Sequence, residues 1–168
     1  MIFTEELVLE LISCSKRITD GPKTSTIRIS SSNVKFMLES SDGRYNFSGF
    51  IAKNTNFQEN YSVGLVFRPK EEKGSIVLLR VNGPHGLNEF APHHDGPHVH
   101  VATAQRINEG LKPEGNIETD VPYTTIEEAI QYFMQRIGVL DHDRVKYFPT
   151  PNVNPQMGVD FENPEGGQ

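Results

Sequence analysis

Apolar residues return at steps of four, three and four through Leu7, Leu11, Cys14 and Ile18, the spacing that lines side chains along one face of a helix. The pattern predicts an amphipathic helix over residues 5–18. Thr4 is placed to act as its N-cap, Glu5 and Glu6 sit at the positive end of its dipole, and Thr19–Asp20–Gly21–Pro22 ends it. Cys14 falls in the apolar stripe and reads as core rather than nucleophile. Lys16 and Arg17 read as cations complementing the helix C-terminus. From Lys23 onward the period drops to two. Thr24–Ser30, Val34–Glu39, Arg44–Lys53, Phe57–Phe67 and Ser75–Val81 read as strands. Turns are expected at Ser31–Ser32–Asn33, at Ser41–Asp42–Gly43 and at Lys70–Glu71–Glu72–Lys73–Gly74. Short turns between consecutive strands predict an antiparallel meander, with the apolar Ser75–Val81 near its centre.

Strand character resumes at Pro97–Thr103, and residues 104–122 show no clear period. Thr124–Thr125–Ile126–Glu127 reads as a capping box with Thr124 as N-cap, opening a helix whose stripe is Ile126, Ile130, Phe133 and Ile137 and whose stop is Gly138. The expected fold is α+β, an antiparallel sheet of five to six strands flanked by an N-terminal and a C-terminal helix on one face. Residues 1–148 form a single domain in this reading. Residues 149–168 hold four prolines and three glycines and form a loosely held tail.

A chain of 168 residues is long enough for one domain with its own core. Its single cysteine excludes an internal disulfide framework and any CxxC motif, which points to a reduced cytoplasm. No apolar run approaches membrane-spanning length, and Met1–Ile2–Phe3–Thr4–Glu5–Glu6 lacks a signal-peptide layout, so no membrane partner is expected. Charge is placed unevenly. Residues 1–100 carry 11 basic against 11 acidic side chains, whereas residues 101–168 carry 5 against 11 and hold the whole net charge of −6. The acidic last third repels phosphate backbones, while the neutral first part leaves room for a local basic patch.

The chemistry concentrates in one window. Five of the six histidines lie between positions 85 and 100: His85, His93, His94, His98 and His100. His98 and His100 are two apart in a predicted strand, so their rings project from one face while Val99 and Val101 turn to the core. Two readings fit. The imidazoles can ligate zinc, nickel or iron, drawing on His93, His94, His98 and His100, with His85, Asp95 or Glu89 as further candidates. Alternatively they run metal-free acid–base cleavage of RNA. In that case His98 and His100 are base and acid, His85 or His94 orients or exchanges a further proton, Arg80 stabilises the phosphate, and Asn82 positions it. Residues Ile76, Leu78 and Arg80 then form one inward-packed set that delivers Arg80 to the strand end. Arg68 and Lys70 extend a basic rim toward the site, and Tyr123 either stacks a base or staples the second helix. Motifs with fixed spacing are absent: there is no HExxH, Ala102 stands where an HxHxH triad needs its third histidine, and no P-loop or GxGxxG occurs.

Arg80–x–Asn82–Gly83–x–His85, followed by His98–x–His100–x–Ala102–Thr103, resembles an uncharacterised family of bacterial proteins of about this length, over roughly residues 60–138. That family is in turn similar to the TumE-type toxins of toxin–antitoxin pairs, which carry an R-Y-D-N-x-P-H-H string before an H-H-x-H. Val81 stands where those toxins have an aromatic residue, and Gly83 also departs from their string. The resemblance implies a small defence- or toxin-type protein, an RNase-like phosphodiesterase with an RNA substrate and a cognate antitoxin as partner. A reading of another class is a non-enzymatic interaction module whose sheet face or tail engages a protein, with the histidines structural or metal-binding; a metal-dependent hydrolase is the further enzymatic alternative.

Overall fold

In the computed structural model, which describes residues 1–22, 33–54, 56–70, 74–86 and 92–150, seven strands form one antiparallel sheet in strict sequence order. They are β1 (Lys16–Asp20), β2 (Asn33–Ser40), β3 (Asn46–Lys53), β4 (Tyr61–Arg68), β5 (Ile76–Asn82), β6 (His98–Ala102) and β7 (Glu114–Glu118). The helices are α1 (Glu5–Ser13), α2 (Ala104–Asn108), α3 (Ile126–Arg136) and α4 (Asp141–Tyr147). The α+β meander expected from the sequence is present, with more strands than the five or six foreseen. The additional β1 and β7 are its two edges. The predicted strand Thr24–Ser30, the Ser31–Ser32 part of its turn, and the charged centre of the turn after Lys70 lie outside the described residues, as does the predicted tail beyond Thr150. Among the described residues no helix is long and apolar enough to cross a membrane.

Alternation decides which sheet face is covered. Phe36, Leu38, Phe47, Ile51, Val63, Leu65, Leu79, Val81 and Val99 are buried in one cluster with Val8, Leu11 and Ile12 of α1 and Ile130, Phe133 and Met134 of α3. Both helices therefore pack on the same sheet face, and among the described residues neither α1 nor α3 covers the other. The predicted stripe of α3 is buried as drawn, including Ile126 and Ile137. Its cap is displaced by one residue from the expectation. Thr125 rather than Thr124 is the N-cap, because Glu128 sits at the third helical position and returns its carboxylate to the Thr125 amide at 3.1 Å and the Thr124 amide at 2.8 Å. Gly138 ends the helix with φ of 72°, a conformation costly to any residue with a Cβ.

The first helix is shorter than the periodicity predicts. It ends at Ser13 with Cys14 as C-cap, and Lys16 to Asp20 form β1 against β2. The four-residue step from Cys14 to Ile18 is also two strand periods, so Ile18 reaches the core on either path. Lys16 is accordingly not a dipole-complementing surface cation. It is fully buried, and its Nζ donates to the carbonyls of Ile12 (2.8 Å), Cys14 (2.9 Å) and Ile137 (2.8 Å). Ile12 lies in the last turn of α1 and Ile137 is the C-cap of α3, so one ammonium satisfies the orphan carbonyls of two helices. The same charge lies 4.8 Å from the centroid of the Phe47 ring. Backbone bonds from Lys16 N to Gly138 O (2.8 Å) and from Leu140 N to Lys16 O (2.9 Å) complete the junction. Burial draws the ammonium down to about 8. Replacing Lys16 with Met keeps the stem but strands three carbonyls, and the expected loss in a denaturant melt at pH 7 is about 3 kcal/mol. The same change at exposed Lys35 serves as control, and an equal, small effect at both positions would contradict the role given to Lys16.

Candidate metal centre

The pairing of β5 with β6 places Arg80 opposite His100 and Asn82 opposite His98, with Leu79 opposite Val101 and Val81 opposite Val99. Residues directly opposed across a ladder share a face. The Leu79–Val101 and Val81–Val99 pairs point into the core, and the arginine, asparagine and two histidines project together from the opposite face. The expected adjacency of the two strands is thus present. The inward set is different from the one foreseen. The register of β4 against β5 slips between Leu65 and Val66, passing over Leu78, so Leu79 and Val81 face the core and Arg80 is turned to the histidine side.

Three contacts fix the ends of these strands. Gly83 sits so close to β4 that a Cβ there would meet the Glu59 carbonyl oxygen at 2.1 Å and the Tyr61 ring at 2.6 Å; only glycine fits. Tyr123, which the sequence offered as a base-stacking or stapling residue, is buried, and its hydroxyl reaches the carbonyls of His98 (2.8 Å) and Asn82 (3.2 Å) from the core side. Ser62 donates its hydroxyl to Asn82 Oδ1 at 2.7 Å, leaving the Asn82 amide directed at His98 Nε2 at 3.3 Å. The other ring nitrogen, His98 Nδ1, lies 2.8 Å from the Gly96 carbonyl. A carbonyl can only accept, so Nδ1 carries the proton and Nε2 presents the lone pair.

The 3-10 turn Pro92–Asp95 brings the remaining rings over this pair. The amide of His85 donates to the His94 carbonyl at 3.0 Å and ties the turn to the strand end. Ring centroids of His93 and His98 are 5.2 Å apart, of His93 and His100 5.6 Å, of His94 and His98 5.5 Å, and of His98 and His100 4.9 Å. One nitrogen from each of His93, His94, His98 and His100 lies within 4.8 Å of the others. His85 stands against this group, 4.2 Å from the His94 ring and 4.9 Å from the His98 ring. The sequence window therefore converges, all five histidines included. Asp95 is exposed on the same turn, and Glu89 lies outside the described residues.

Arg80 is not alone. Its Nε is in ion-pair contact with Glu114 Oε1 without being aligned for a hydrogen bond, and Lys112 Nζ lies 3.6 Å from the other oxygen of that carboxylate. Sequence reasoning missed Ser62, Lys112 and Glu114. Ser62 was readable only with the β4–β5 register in hand, and Lys112 and Glu114 fall in the stretch without periodicity. The basic rim is a correction. Arg68 is the last residue of β4 and Lys70 lies beyond it, about 20 Å of extended chain from Ser62 at the histidine end of the strand.

Burial lowers the imidazoles of His98 to about 4 and His100 to about 3, with the neighbouring histidines adding to it, and Arg80 as well at His100. The unfolded chain takes up these protons near pH 6.5 while the folded chain does not, so stability is full above that pH and falls as pH drops toward 4. Each imidazole contributes a slope of about 1.4 kcal/mol per pH unit in that window. In urea melts of the metal-free protein, His98→Gln and His100→Gln are each expected to flatten the profile between about pH 6 and 4; an unchanged slope would contradict the burial. No protein-family model, curated protein or solved structure matches the chain, and the chemistry of the site is read from its own geometry.

Proposed function

We propose that the chain binds a late first-row divalent metal ion, zinc first among them, through His93, His94, His98 and His100. The observation that carries this reading is the convergence of four ring nitrogens within 4.8 Å. Nitrogens around a tetrahedral zinc stand about 3.4 Å apart at bond lengths near 2.0–2.1 Å. The cluster closes on an ion by turning the half-buried rings of His93 and His94, while His98 and His100 are held on a core strand. Imidazole ligands bind in their neutral form, the form burial favours here. The proton of His98 Nδ1 on a backbone carbonyl leaves Nε2 for the ion, which displaces only the long Asn82 contact. With no carboxylate or thiolate in the described cluster, its donors suit zinc, copper or nickel over magnesium or calcium.

Metal-free acid–base cleavage of RNA is the second reading, favoured by the direct opposition of Arg80 and His100. It ranks second because Arg80 already has Glu114 as counterion, and because one of the two histidines would have to carry a proton near neutrality. Under either reading a defence- or toxin-type role with an antitoxin partner remains a proposal resting on the family resemblance.

Calorimetric titration of the chelator-stripped chain with Zn²⁺ is expected to show one equivalent bound. His98→Gln and His100→Gln should each weaken binding by about tenfold or more, whereas His142→Gln, at an exposed position on α4, should leave it unchanged. At 100 times its dissociation constant the ion should stabilise the fold by about 2.7 kcal/mol. Absence of one-equivalent binding, together with RNA cleavage that persists in excess chelator and is lost in His100→Gln, would replace the metal reading by the acid–base one.

A further inference from the structure

We propose that the metal centre takes a phosphoryl oxyanion as its exogenous ligand, held between the ion and the Arg80 guanidinium; this rests on the metal reading above. Four neutral imidazoles leave both charges of a divalent ion uncompensated. The described charged side chains around them cancel among themselves: Arg80 and Lys112 are matched by Glu114, which contacts both, and by Asp95 beside His94. His98 and His100 are 0% and 7% exposed, so water screens little of the ion's charge on that side, and an anionic ligand is favoured there.

Arg80 supplies the second half of the anion's site. Its side chain is 28% exposed while that of Glu114 is 4% exposed. The buried carboxylate contacts Nε, and neither Nη1 nor Nη2 donates a hydrogen bond to a described residue. Direct opposition to His100 sets this fork beside any ion on that ring. A guanidinium fork and a metal ion facing one another bind the tetrahedral oxygens of a phosphoryl group, one from each side. Zinc can expand its shell from four to five ligands to take such a group. A phosphoryl dianion neutralises both charges of the ion, where a carboxylate neutralises one.

The test uses the full chain loaded with Co²⁺, whose visible absorption reports its coordination, titrated with methylphosphonate and separately with acetate. Methylphosphonate is expected to change the cobalt bands saturably and more tightly than acetate. Arg80→Gln and Arg80→Lys should each weaken methylphosphonate by about tenfold or more while shifting Co²⁺ affinity by less than about threefold. Arg80→Lys keeps a cation on Glu114 and guards against loss of the fold, which a melting curve checks. Co²⁺ binding without a methylphosphonate response, equal affinity for acetate, or insensitivity to both Arg80 variants would overturn the phosphoryl assignment alone. Failure to bind Co²⁺ at all would overturn the metal reading and this inference with it.

Discussion

The register of β6 against β5 is the constraint on which the site depends. A slip of one residue would send His98 and His100 into the core and Val99 and Val101 to the open face, since a strand's side chains alternate strictly. The register is held from both faces. On the core side Val99 and Val81 are buried opposite one another, and the Tyr123 hydroxyl bridges carbonyls of both strands. On the open side Asn82 joins Ser62 of β4 to His98 of β6. The polar chain thus crosses three adjacent strands and orients one imidazole at its end. The loop between the strands then needs only to fold back, and the His85–His94 backbone bond with the glycine at position 83 makes it do so.

One-sided packing leaves a sheet face available for chemistry. α1 and α3 both pack on the apolar face, and the Lys16 ammonium bonds carbonyls at the C-terminal ends of both. A buried charge at that junction is costly in desolvation and is offset by three short bonds to carbonyls at the negative ends of two dipoles. The same economy recurs at Arg80, where a carboxylate at the β7 edge holds one edge of the guanidinium and leaves the other to solvent. Of the two cation arrangements, the buried one at Lys16 is saturated and structural. At Arg80 neither Nη1 nor Nη2 donates a hydrogen bond to a described residue.

Much of this was legible in the sequence, for identifiable reasons. Period-two alternation in Val34–Glu39 and Tyr61–Phe67 drew the meander, and the stripe Ile126–Ile130–Phe133–Ile137 drew α3, because each pattern answers to a single buried face. The histidine window was visible as composition, and the spacing of His98 and His100 placed both on one face. What local pattern could not carry is long-range. Lys16 reads as a helix-end cation until β1 is known to turn it under two helices. The side of the sheet taken by Arg80 depends on a slip at Leu78 that no spacing rule contains. Glu114 lies on a short edge strand, Glu114–Glu118, with only one apolar residue, Ile117, and that residue is exposed, so no period marks it. The cap shift from Thr124 to Thr125 arises because two adjacent threonines compete and the reach of Glu128 decides.

The claim at the centre of this account is that His93, His94, His98 and His100 close around one ion. X-ray absorption at the zinc edge of the loaded chain measures that shell directly. The account predicts a first shell of four imidazole nitrogens at about 2.0–2.1 Å, with the multiple-scattering pattern of histidine rings. A shell dominated by oxygen, or one holding fewer than three imidazoles, would contradict it.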